Sequence, residues 1–387
     1  MTHRSAFAVL CAVLALALVG AQAAAAGRGH GHGRGHHHRG GHGKPIVFVQ
    51  TNELSGNRIL VYDRRPDGHL LYAGSYVTGG KGGAALPGTE SDHLASQGSL
   101  VYDKRHRQLL AVNAGSNTVS AFHVRGDRLA LERVWASGGE FPASIGVHGD
   151  LAYVLNAGAD GVVKGFRVGP HGLSPIPGSG RSLGLGNTTP PNFLTSPGQV
   201  GFTPDGRKLL VTTKASTSSI DVFHVRFDGR LSAAPVVNAS ATPVPFAFTF
   251  DPFGRLVSGE AGASTVTTYR IQAGGTLTDP KSQGDGQAAL CWVVRAHGFY
   301  YVSNTGSNNL SGYRIDSGGQ PSLLTADGIV ATTNPGPIDL ASSGSFLYAQ
   351  TGLNGTVDEF SIASDGSLSP IGSVTGLPPG LEGIAAS

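Results

Sequence analysis

Residues Ala288–Ile315 read AALCWVVRAHGFYYVSNTGSNNLSGYRI, and this stretch decides the fold. An apolar run from Leu290 to Val294 is broken at Ala296-His297-Gly298. A second run, Phe299 to Val302, stops at Ser303-Asn304. A Gly/Ser/Asn turn then leads into a third run that closes on Tyr313-Arg314-Ile315. Short β-branched and aromatic runs punctuated by turn residues predict strands, and here three in succession. One such unit cannot bury both of its faces alone, so it needs copies of itself.

The copies are present. Working outward, the second-strand ends recur at Asn52, Asn113, Asn156, Thr213, Glu260, Asn304 and Thr351, spaced by roughly 43 to 61 residues, the range of propeller blades. Third strands are predicted at Ile59–Asp63, Val119–Val124, Val162–Val168, Ser219–Val225, Thr265–Ile271 and Thr356–Ile362, beside the one in the opening stretch. Pairs such as Asp67-Gly68, Asp228-Gly229 and Asp365-Gly366 supply the positive φ of tight hairpins, and a fourth, less apolar strand follows. Strict alternation is poor, as it must be where a sheet packs against neighbours on both faces. The expected fold is all-β: one seven-bladed propeller of four-stranded antiparallel blades over residues 45–387. A pair of β-sandwiches would not repeat one four-strand unit.

Ring closure is legible too. The repeat region opens at Ile46-Val47-Phe48 with a second-strand sequence, so the first blade lacks an inner strand. The C-terminal Leu381–Ala386 resembles the inner strands of other units, such as Pro142–Val147 and Pro245–Phe250, and is expected to fill the gap. Two connections are long, 74–97 and 172–198. Long loops in compact domains are often functional, with plain linkage as the alternative.

Composition bounds the rest. Gly is abundant at 59 residues and spread along the chain, which suits many tight turns. The net +3 comes from the N-terminus. Arg4, Arg28, Arg34, Arg39 and Lys44 precede Pro45, leaving 23 basic against 25 acidic residues, a formal −2. That balance gives no nucleic-acid footprint, since counterion release needs clustered Lys and Arg. Residues 1–26 have the layout of a secretory signal: an apolar run from Ala6 to Val19, then Ala21-Gln22-Ala23 as a cleavage pattern. The run is short of a membrane span, so a secreted or periplasmic protein, not integral to a membrane after cleavage, is expected, and a monomer. Residues 27–44, GRGHGHGRGHHHRGGHGK, offer nothing apolar to bury and read as a disordered tether. Its His30, His32, His36, His37, His38 and His42 form either a polar spacer or a weak site for Zn, Cu or Ni. Without Cys11, lost with the leader, Cys291 cannot form an internal disulfide and reads as a buried small hydrophobe.

The repeats resemble those of the lactonase-type seven-bladed propellers, the family of cycloisomerase-type 6-phosphogluconolactonases and 3-carboxymuconate lactonising enzymes. Thr203–Thr213 (TPDGRKLLVTT), Phe248–Ile271 and the opening stretch carry the likeness. The resemblance implies three features at the channel mouth: a Pro-His-x-His inner strand opening the fourth unit, a Glu ending the fifth unit's second strand, and an Arg after the sixth unit's Ser-Asn. Here the fourth unit begins Thr195-Ser196-Pro197-Gly198-Gln199, Glu260 matches the second feature, and Thr305 stands in place of the Arg.

Lactone chemistry needs a proton donor or acceptor and a cation for the substrate's anionic group. Glu260 is the candidate acid or base, and a carboxylate satisfied within the fold is its structural alternative. Lys214 and Arg295 are candidate substitutes for the cation. The leading reading is a binding propeller without a cofactor. It takes a small polar ligand at a mouth formed by Lys214, Glu260, Trp292, Asn304 and Asp339, or an extracytoplasmic protein on its broad face. The alternative is a lactone hydrolase or cycloisomerase acting through Glu260 on sugar lactones or carboxymuconate-type substrates. The Gly180–Gly184 match to G-x-S-x-G sits in a Gly/Pro loop and reads as chance. His93, beside Glu90 and Asp92, reads as part of a solvated loop.

Overall fold

The computed structural model describes residues 44–86 and 90–387. The leader and the six tether histidines lie outside the described residues. Seven antiparallel sheets form a propeller ring, and among the described residues the one helical element is the single turn Ala114–Ser116.

The sixth blade shows how the opening stretch folds. Leu290–Ala296 lies innermost, paired to Phe299–Asn304, which pairs to Asn309–Ile315, with Pro321–Leu323 and Ile329–Thr332 outside. Phe299–Asn304 is buried at every position, because blades cover it on both sides; this is why alternation is weak. Two third strands, Thr265–Ile271 and Thr356–Ile362, fall at the expected residues, and the others lie within a residue or two.

The ring closes as its ends require. Ile384–Ala386 pairs antiparallel with Ile46–Gln50, Val47 opposite Ala386 and Val49 opposite Ile384, and becomes the first blade's inner strand. Leu381 and Ile384 pack with Val47, Val49, Tyr348 and Val357, so the closing strand also joins the cores of the seventh and first blades.

The ring has two faces. The turns joining first to second and third to fourth strands lie at a basal face, where the chain enters at Lys44. The ends of the second strands and the connections between blades meet at the opposite, upper face. At the base, second-strand tyrosines tie three of the blades to the next. Tyr153 Oη donates to Gly229 O at 2.8 Å and Tyr301 Oη to Gly366 O at 2.9 Å; across the closure, Tyr348 Oη donates to Gly68 O at 2.7 Å. All three glycines hold φ between 83° and 94° at the turn tip, a region that side chains disfavour. At the upper face the long first connection folds inward, and its Ser91–Gly98 portion enters the axis of the ring.

Candidate functional site

The channel mouth is filled by the chain itself. Ser91–Gly98 is held from every side. Gln97 N donates to Gly198 O of the fourth blade's approach (3.0 Å), and Ile145 N of the third blade donates to Gly98 O (2.8 Å). The sixth blade supplies a reciprocal pair: Val293 N donates to Gln97 Oε1 (3.0 Å) and Gln97 Nε2 donates to Val293 O (3.2 Å). Trp292, fully buried, donates its indole N–H to Ser96 O at 2.9 Å and packs on Phe246 with ring centroids 4.9 Å apart. Close approach to the seventh blade and to the C-terminal segment depends on glycines. A side chain at Gly352 would collide with the Ser91 carbonyl, and one at Gly380 with the His93 ring. The solvated reading of this cluster holds at Glu90, which is exposed, and is corrected at its other two members: Asp92 is 3% exposed and His93 half-buried, its imidazole pushed toward the neutral form by desolvation. The stretch is polar because it meets backbone groups around the axis, not because it meets water.

Lys214 is the cation of this plug. It is 1% exposed, donates from Nζ to Ala95 O and Phe193 O at 2.7 Å each, and lies 4.9 Å from the Phe246 ring centroid. Three buried carboxyls share its surroundings. Asp92 is hydrogen-bonded to Glu382. Glu382 accepts from Leu94 N at 2.5 Å and Ser96 N at 3.3 Å. Asp339 accepts from Leu340 N at 3.0 Å and Ile384 N at 3.3 Å. Desolvation dominates all four groups. It raises Asp92 and Glu382, which repel each other as anions, and it raises Asp339 to about 7. It lowers Lys214 to about 8, with Asp92 opposing that shift. One lysine among three reluctant carboxyls makes a nearly neutral, proton-sharing core.

Asp339 yields a direct test. Its folded-state pKa lies above the usual carboxyl value, so its contribution to stability is complete at acid pH and is lost as pH rises through about 7. Asp339→Asn removes that loss. Its stability relative to wild type should rise by on the order of 2 kcal/mol between pH 5 and pH 8, read from urea unfolding at the two pH values. A pH-independent difference would show that Asp339 does not take up a proton in the folded state.

Glu260 stands apart from this network. It ends its strand at the upper face, 0% exposed, and its oxygens are consumed within the fold. Oε2 accepts from Thr242 N at 2.9 Å, from Thr267 Oγ1 at 3.0 Å and from the Thr242 hydroxyl; Oε1 accepts from Tyr269 Oη at 2.5 Å. Burial raises its pKa while these donors oppose the rise. The carboxylate fastens the connection between the fourth and fifth blades to its own sheet.

Asn304 is likewise turned into its sheet, with Nδ2 donating to Asn309 Oδ1 at 2.9 Å and Ser311 Oγ at 2.8 Å. Arg295 is exposed and pairs with Tyr300, whereas Leu290 at the other end of the same strand pairs with Asn304. It therefore sits at the basal face, not at an end equivalent to that of Lys214. The structure thus gathers Lys214, Trp292 and Asp339 around the plug and leaves Glu260, Asn304 and Arg295 outside it. Sequence reasoning missed Asp92, Gln97 and Glu382; the one available signal was a pair of acids in otherwise weakly charged segments.

A groove of about 310 Å3 opens on the upper face beside the plug, lined by Leu54, Gly82, Gly83, Phe141, Thr189 and Pro190 among others. Among the described residues no three His, Cys, Asp or Glu side chains converge as a metal site.

The fold is a seven-bladed propeller of lactonase-like architecture. Among solved structures it is similar to a 6-phosphogluconolactonase-like protein of Bacteroides fragilis NCTC 9343, with TM-score 0.66 and 17% identity over 89% of this chain and 98% of that one. A 6-phosphogluconolactonase-like protein of Bacteroides uniformis ATCC 8492 gives 0.66 and 16% over 89% and 99%. The periplasmic gluconolactonase PpgL of Pseudomonas aeruginosa gives 0.66 and 16% over 89% and 98%. No protein-family model and no curated protein matches the chain.

Proposed function

We propose that this chain is an exported binding propeller that no longer opens lactones, taking a small polar ligand or a loop of an extracytoplasmic protein in the upper-face groove between Leu54, Gly83 and Phe141. One observation carries the reading. The axial mouth, where a lactone would meet Glu260 and a cation, is packed with residues 91–98, and Lys214 is already bonded to Ala95 O and Phe193 O. The ammonium is 1% exposed and walled by Phe193 and Phe246, so a substrate anion could reach its remaining N–H only by displacing residues 91–98.

A second reading, lactone hydrolysis or cyclisation through Glu260, is favoured by the names of the similar structures and by that carboxyl's raised pKa, a property suited to a general acid. Purified wild type and Glu260→Gln should be assayed on gluconolactone, its 6-phosphate and a carboxymuconolactone, with thermal melting to confirm the fold. The expected result is no turnover above the spontaneous rate for either protein. Turnover in wild type that falls by about 100-fold or more in a folded Glu260→Gln would establish the hydrolase instead.

A further inference from the structure

The basal face carries a chemistry that the upper face lacks. Lys104, Arg107, Arg125, Arg128, Arg207 and Arg226 all lie in or beside basal hairpins, and all six are exposed. None of them is ion-paired among the described residues; the exposed Asp205, Asp316 and Asp365 of this face have no ion-pair partner either, while other acids here are held by different cations. Asp103 is held by His106 at 2.6 Å, Asp150 by Arg105 at 3.3 Å, Asp63 by Lys44 at 3.0 Å and Asp251 by Arg255 at 2.5 Å. The upper face is the reverse, presenting exposed Glu90, Glu140 and Asp160. The formal −2 of the propeller therefore hides two faces of opposite character, and a field of that shape orients a molecule toward a negative surface.

Two aromatic rings share this face with the cations, beside Arg207 and Arg226 of the fourth blade and two to three blades from the second-blade group. Phe227 is 98% exposed and Phe253 70% exposed, on basal hairpins of the adjacent fourth and fifth blades. Neither is required by its turn. In the Arg226–Arg230 turn, Gly229 N donates to Arg226 O, as Gly68 N does to Arg65 O. The position of Phe227 is there filled by Pro66, and in the related turns by Ala273, Ser317 and Ser364. Phe253 stands where the corresponding turn of the fourth blade has Asp205. A bare ring at a hairpin tip is unfavourable in water, and a neighbouring guanidinium covers only one of the two, Arg255 lying 5.0 Å from the Phe253 centroid.

We propose that the basal face docks on an anionic phospholipid surface, with Phe227 and Phe253 entering the interface and the arginines and lysines of the same face turned to the headgroups. Cations set around protruding aromatics are the combination that holds a peripheral protein at a bilayer, since charge draws it in and apolar insertion retains it. The chain enters the ring at this same face: Lys44 bridges Asp63 at 3.0 Å and Asp127 at 4.0 Å. The segment before it brings Arg28, Arg34 and Arg39 with no acidic residue. A soluble polyanion would use the cations but would have no need of the two rings.

The test is co-sedimentation of the full chain with vesicles of phosphatidylcholine alone or with about one third phosphatidylglycerol. Three variants accompany it: Phe227→Ser/Phe253→Ser, Arg125→Glu/Arg128→Glu, and Phe227→Trp. All carry the same N-terminal residues, and all substitutions are at exposed positions. Wild type should bind the anionic vesicles at least tenfold more strongly than neutral ones and lose that preference in high salt. Each double variant should lose about tenfold or more. The indole emission that Phe227→Trp adds to the wild-type spectrum should shift to the blue on anionic vesicles and not on soluble polyphosphate. Equal binding by the phenylalanine variant, or no blue shift in Phe227→Trp, would overturn the proposal in favour of a soluble polyanion. Binding unaffected by either double variant would place the attachment outside this face and overturn it as well.

Discussion

Deleting Leu381–Ser387 should abolish the cooperative unfolding transition of the propeller at room temperature. The segment contributes two large buried apolar side chains, Leu381 and Ile384, at about 1.5–3 kcal/mol each. Its removal strands Gln50 N, which donates to Gly383 O at 2.8 Å, and Ile46 O, which accepts from Ser387 N at 2.9 Å; each costs about 1–3 kcal/mol if left buried without a partner. Glu382, the acceptor for two backbone N–H groups of the plug, goes with it. The sum is on the order of 8 kcal/mol, within the whole stability of an ordinary domain, about 5–15 kcal/mol. Ser387→Ala is the matched control: it removes only the hydroxyl that accepts from Ile46 N at 2.7 Å, and should cost about 1 kcal/mol or less. Urea unfolding followed by tryptophan fluorescence and near-ultraviolet dichroism compares the three. A truncated chain that kept a sharp transition near the wild-type midpoint would show that the ring does not depend on this strand.

The contrast between what could and could not be read in advance follows from range. Strands and hairpins were readable because their determinants are local: Asp228-Gly229 makes its turn wherever it stands, and Thr356–Ile362 is apolar enough to be a strand in any blade. Closure was readable because the N-terminal half-blade was visibly incomplete. The plug was not, because Ser91–Gly98 is polar and becomes buried only when seven inner strands surround an axis lined with free backbone groups. Glu260 was a catalytic candidate because it matches a feature of the resembled family; its saturation by Thr242 and Tyr269 depends on a loop and a neighbouring strand whose approach no spacing rule gives. Arg295 was misplaced although the signal was there. It directly precedes Ala296-His297-Gly298, a within-blade turn, and that fixes it at the face away from Asn304. Tracking the turns in the same way would have exposed the basic basal face, which the net charge concealed.

Lys214→Met should destabilise the protein in a pH-dependent way, and the direction follows from the groups around it. Asp92 and Glu382 have raised pKa values in the folded state, so their contribution to stability is complete below the usual carboxyl range and is lost as pH rises. The Lys214 charge opposes that loss, and without it Asp92 must ionise in a dry site with no cation beside it. Lys214 itself titrates the other way. Its pKa is depressed to about 8, so wild type carries a cost for the buried ammonium that fades as pH climbs from 8 toward 10.5, and methionine never bears that cost. Both effects turn against the variant as pH increases. At pH 5, with the carboxyls largely protonated, the variant loses two carbonyl hydrogen bonds but escapes the ammonium's desolvation, and should lie within about 1 kcal/mol of wild type. At pH 8 an uncompensated buried anion should cost about 3–5 kcal/mol. Urea midpoints for both proteins at pH 5, 6.5 and 8 measure the slope. A constant difference, or one that shrinks with pH, would mean that Lys214 does not balance the carboxyls of the plug, whereas a difference that grows through neutrality places the charge balance of the plug on this one side chain.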